Sequence, residues 1–148
     1  MSTSLYVTYL RTMQDSPEVA ILQATTDWRR SRKKMFAAKK LEQEWTNSFD
    51  EESGDWAEAV TRKFYYPDTV APGDTLYAVV ETCWYEAVST DIWLFASEAE
   101  AAEYIAKRSA FLKGQNAFLV EDDGDPMHLA DDSAMADYYF SVEPLFIE

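Results

Sequence analysis

An α+β fold, with a mainly antiparallel sheet and two packed helices, follows from three observations. Short β-branched and aromatic runs recur in pairs, a capped amphipathic stretch follows each pair, and a Pro- and Gly-containing turn segment separates the two halves. The runs Leu5–Leu10 and Glu18–Ala24 read as the first two strands, joined by a linker of about ten residues. Thr25, Thr26 or Asp27 can cap a helix that continues to about Trp45, with Trp28, Met35, Ala38 and Trp45 as its apolar stripe. Asn47–Asp55 is polar and acidic enough for a loop. Trp56–Tyr66 fits either a short helix (Trp56, Val60, Phe64) or a strand (Val60, Arg62, Phe64, Tyr66). Pro67 and Ala71-Pro72-Gly73-Asp74 then divide the chain.

The second half repeats the order. Leu76–Glu81 and Asp91–Ala96 read as strands. Ser97 followed by Glu100 is a capping box, and the helix it opens carries Ala101, Ile105 and Leu112 on one face until Gly114. Ala117–Val120, Tyr138–Val142 and Leu145–Ile147 supply closing strands around the Glu121–Pro126 turn. Ser4-Leu5-Tyr6-Val7 resembles Thr75-Leu76-Tyr77-Ala78, and Ala20–Thr25 resembles Ile92–Ser97, at offsets of 71 and 72. The expectation is one α+β domain over 1–148, with two ββα half-repeats at about 1–66 and 73–148.

The 148 residues include 22 aromatics, enough large side chains for a core despite a net charge of −14. The N-terminal stretch lacks the pattern of a secretory signal, and no apolar run approaches the roughly 18 residues of a membrane helix, so a cytoplasmic location is expected. One cysteine, Cys83, excludes an internal disulfide and reads as a small packed hydrophobe; one histidine, His128, excludes a His-rich metal site. His128 lies in an acidic, turn-like stretch and is read as a surface or half-buried residue rather than a catalytic one. Four scattered glycines make no phosphate-cradling loop. Around Gly124 the acids miss the calcium-loop spacing, with Leu119 at its first position and Ala130 at its last. No catalytic, cofactor or metal residues are expected.

Charge is the informative feature. Residues 1–40 carry eight bases against three acids, a net of +5, and the remainder carries −19. No base occurs in 41–58, which holds seven acids, or in 114–148, which holds nine. An excess of this size costs self-repulsion and makes the chain as a whole a poor nucleic-acid binder. The run Arg29-Arg30-Ser31-Arg32-Lys33-Lys34 with Lys39-Lys40 reads as a solvated helix face whose charges answer the chain's own acids; phosphate contact and grip on an acidic protein are its functional alternatives. Acids interleaved with Trp and Tyr suit a face that steers and pairs with a basic partner. The residues for it are Glu121, Asp122, Asp123, Asp125, Asp131, Asp132 and Asp137, then Asp50, Glu51, Glu52 and Asp55.

In size, acidity and missing catalytic motif the chain resembles phage- and mobile-element-encoded inhibitors, including anti-CRISPR and anti-restriction proteins. That resemblance of profile implies a non-catalytic, DNA-mimic-like inhibitor. Its partner would be a protein with a basic nucleic-acid-binding surface, with no direct nucleic acid and no membrane. An immunity protein against a basic toxin nuclease, and a small metal- or carboxylate-dependent enzyme, are the alternatives.

Overall fold

The computed structural model describes residues 2–13, 18–85, 87–114, 117–120, 127–131 and 137–148. The chain is α+β, and it divides into two compact units: residues 1–75 with 145–148, and residues 76–144. No helix among the described residues is long and apolar enough to cross a membrane.

In the first unit β1 (Thr3–Met13) is the centre of a three-stranded sheet, with β2 (Val19–Thr25) on one side and β3 (Trp56–Tyr66) on the other, both antiparallel to it. The ambiguity of Trp56–Tyr66 is resolved by pairing: its eleven residues register against all eleven of β1, from Thr3↔Tyr66 to Met13↔Trp56. Central position explains why Leu5, Val7, Thr8, Tyr9, Leu10 and Thr12 are all buried. Helix α1 (Trp28–Ser48) begins at Asp27, whose carboxylate accepts the Arg29 N–H at 2.9 Å. Its inner face puts Ala38, Met35, Leu41 and Trp45 against Leu10 and Ala59 of the sheet. Two β3 amides bond to α1 side chains: the Ala57 N–H donates to Thr46 Oγ1 and the Ala59 N–H to Glu42 Oε1, so the helix covers that sheet edge. Trp28 departs from the expected core stripe. It is 47% exposed, and its ring is met by the Arg29 and Arg32 guanidinium groups.

Residues 145–148 complete this unit. Ile147 makes a parallel bridge to Ala24, and Glu148 exchanges backbone hydrogen bonds with Ala24 and Thr26. The Ile147 carbonyl accepts the Gly73 N–H at 2.8 Å, while the Ile147 N–H donates to the Asp74 carbonyl at 2.9 Å. Gly73 adopts a φ of 98°, a left-handed conformation that suits glycine.

The second unit contains a five-stranded sheet in the order β5-β4-β8-β7-β6, from β4 (Thr75–Tyr85), β5 (Ala87–Phe95), β6 (Ala117–Val120), β7 (Met127–Asp131) and β8 (Asp137–Phe146). Helix α2 (Glu98–Gly114) follows β5, as α1 follows β2. Its capping box forms, with Ser97 Oγ accepting the Glu100 N–H at 3.2 Å and the Glu100 carboxylate accepting the Ala96 N–H at 3.2 Å. Ala101 and Leu112 pack with Val79 and Phe140. The last two expected strands are one, β8, which runs through Pro144. Pro144 lies beyond Asp137–Phe140, the residues of β8 that pair with β7 among the described residues.

Both units open with the order strand, strand, helix, but their registers differ. Val7 pairs with Ala24, whereas Ala78, its counterpart, pairs with Leu94 rather than Ala96. A slip of two leaves every side chain on its original face. β4 and β5 also run almost into each other, so most of the ten-residue linker expected between them is strand.

Candidate functional site

Of the residues expected to form an acidic binding face, Asp50, Glu51, Glu52 and Asp55 come together in the turn between α1 and β3. Their loop is built by its own hydrogen bonds. Asp50 Oδ1 accepts the Glu52 N–H at 3.1 Å, the Asp50 carbonyl accepts both the N–H and the hydroxyl of Ser53, and Ser53 Oγ accepts the Asp55 N–H at 3.1 Å. Gly54 takes a φ of 74° to close the turn. Asp50 is thus partly occupied in shaping the loop. Glu51 and Glu52 are exposed and make no ion pair or side-chain hydrogen bond among the described residues. Trp56, 44% exposed, follows directly, and Glu44 is exposed on the last turns of α1. The result is a held turn that presents free carboxylates beside an indole.

Asp131 lies at the end of β7 and Asp137 at the start of β8. Glu121, Asp122, Asp123, Asp125 and Asp132 lie outside the described residues. His128 falls within β7, opposite Val120 and Tyr139, rather than in a turn, because the Glu121–Pro126 stretch ends before it. Cys83 is half-buried on β4.

Seven cations lie on α1 between residues 29 and 40 with no acid among them, and six are exposed, Lys34 being half-buried. Only Lys39 forms an ion pair among the described residues, to Glu42 at 3.3 Å. The exposure fits the expected solvated helix face, and the acid that answers it among the described residues is Glu42. Two shallow depressions flank the face: one of about 250 Å³ lined by Gln23, Arg30, Lys33, Lys34 and Ala37, and one of about 240 Å³ lined by Arg32, Met35, Phe36 and Lys39. Phe36, 73% exposed, is part of the wall of the second. The periodicity of α1 left this ring off its apolar stripe, which was the signal for it.

The second unit holds a polar cluster that the sequence did not announce. Glu81 on β4 is buried and accepts the Arg108 Nε–H of α2 at 2.8 Å. Asp91 is the cross-strand partner of Glu81. Tyr104 lies beside them, its ring 5.5 Å from that of Trp93 and 5.3 Å from that of Phe95. Burial, and then the Glu81 charge, push the Tyr104 phenol above its ordinary pKa, which keeps it neutral. Glu81 and Arg108 satisfy each other, so this arrangement ties α2 to the sheet. Glu143 on β8 is raised above the usual carboxylate range by burial. Among the described residues no three His, Cys, Asp or Glu side chains are disposed to hold a metal ion. No protein-family model, curated protein or solved structure matches this chain.

Proposed function

We propose that the chain is a non-catalytic inhibitor that covers the basic, nucleic-acid-binding surface of a cytoplasmic nuclease complex, as phage- and mobile-element-encoded anti-defence proteins do. The observation that carries this reading is the turn at residues 50–56. Its backbone is held by internal hydrogen bonds, so Glu51 and Glu52 are presented with little ordering cost left to binding. Trp56 beside them supplies the apolar anchor, and no base between residues 41 and 58 neutralises the field. Acidic side chains on a fixed scaffold can then stand where phosphates would.

The test is affinity capture of a partner with the tagged chain, followed by competition with DNA. A nucleic-acid-binding protein should be captured and released by DNA, and the Glu51→Lys, Glu52→Lys double variant should bind it more weakly by about tenfold or more, mainly through slower association. A partner without a nucleic-acid site, or one that DNA does not displace, overturns the reading.

A further inference from the structure

We infer that the outer face of α1 is a binding surface for single-stranded nucleic acid. This goes beyond the inhibitor reading and rests on different residues.

Beyond the Arg29 and Arg32 contacts with the Trp28 ring and the Lys39–Glu42 pair, the cations of this face have no partner on the helix that carries them among the described residues. Arg29 and Arg30 stand in its first turn, where no acid is present and where the helix dipole is already positive, so their placement opposes the dipole. Six of the seven find no acid among the described residues. Spread over three turns and both depressions, they make the exposed part of this helix positive, and a polyanion is the partner that engages several of them at once.

The rings distinguish the class of polyanion. Trp28 and Phe36 are 47% and 73% exposed. They are eight residues apart, about 12 Å along the axis at roughly 1.5 Å per residue. Arg32 lies midway between them, and Lys39 and Lys40 lie one turn beyond Phe36, so ring and cation alternate along one stripe. Both depressions have cationic walls. A duplex hides its base faces, and an acidic protein surface offers no stack of flat rings. An unpaired strand offers both phosphates for the cations and bases for Trp28 and Phe36. The net charge of −14 does not forbid this. Screening at physiological ionic strength extends only about 8 Å, so the field over α1 is set largely by its own side chains.

The experiment is fluorescence anisotropy of a labelled oligo-dT strand titrated with the full chain, with circular dichroism confirming that each variant folds. Binding should weaken steeply with salt. Phe36→Ala should lower affinity by about tenfold, within the range for loss of one stacked base. Lys33→Glu with Lys34→Glu should reduce both the affinity and the salt dependence, whereas Glu51→Lys with Glu52→Lys should leave the alanine effect intact. No binding at low salt overturns the inference. So does a duplex of equal length that binds as well, an affinity untouched by Phe36→Ala, or equal displacement by polyglutamate, which would assign the face to an acidic protein. Because the Phe36 and Lys33/Lys34 variants spare the 50–56 turn, failure here leaves the inhibitor reading standing, and the reverse holds.

Discussion

Removing the guanidinium of Arg108 exposes how α2 is held. In Arg108→Met the aliphatic stem still covers the sheet, but Glu81, whose side chain is 7% exposed, loses its cation and keeps Asp91 across the strand pair. Breaking a buried ion pair from one side costs about 3–5 kcal/mol. Arg108 itself is 31% exposed, so water screens part of the interaction and the expected loss is reduced to about 2 kcal/mol. The contact of its guanidinium with the Phe111 ring, 5.4 Å from the centroid, adds about 0.5 kcal/mol at an exposed site. Urea unfolding followed by far-UV circular dichroism measures the total, and amide hydrogen exchange should place the loss in α2 rather than α1. The pair Glu81→Met with Arg108→Met removes both charges and should recover most of the stability, to within about 1 kcal/mol of wild type. A single-variant loss under about 0.5 kcal/mol, or a double variant as unstable as Arg108→Met, would refute the account.

Other outcomes follow from local chemistry. Ser97→Ala removes the acceptor of the Glu100 N–H and should cost about 1 kcal/mol in urea unfolding, with Ser97→Gly costing less. Asp50→Ala should leave the fold intact while raising exchange of the Glu52 amide, since its acceptor is lost. For Glu143, burial raises the folded-state pKa above the unfolded value. Its neutral form is therefore favoured, and its contribution is present below the unfolded pKa and lost as pH rises through the folded one. Glu143→Gln should accordingly melt higher than wild type at neutral pH, and the gap should close toward pH 4 in thermal melts.

The elements legible in the sequence were those written in local chemistry. Ser97 marks one helix start and Thr25–Asp27 narrow the other to three residues, of which Asp27 is the cap, because caps act within one turn, and β1 and β4 are plain because their apolar content exceeds any helical stripe. Trp56–Tyr66 was not decidable locally, since its apolar positions satisfy both periods; eleven pairings with β1, more than forty residues away, decide it. The two-residue register change between the hairpins is equally long-range. In the candidate faces, segregation of charge along the chain was readable, but which charges are paired was not. Glu42 is drawn to Lys39 and a β3 amide, and Asp50 to its own loop, whereas Glu51 and Arg30 remain free among the described residues. Trp28 shows the limit of periodicity: its spacing is that of the core stripe, yet it is 47% exposed while Ser31 in the same turn is buried.

The strand-like contacts of residues 145–148 carry a consequence for synthesis on the ribosome. Residues 76–144 are contiguous, so the second unit has all its parts once they emerge. The first unit must wait for Ile147 and Glu148 to reach Ala24, Thr26 and the Gly73–Asp74 turn. Up to that moment the Ala24 carbonyl and the Thr26 amide lack their backbone partner, Glu148. The half translated first is thus the half completed last, and its final hydrogen bonds form only when the segment that began at Thr75 has returned.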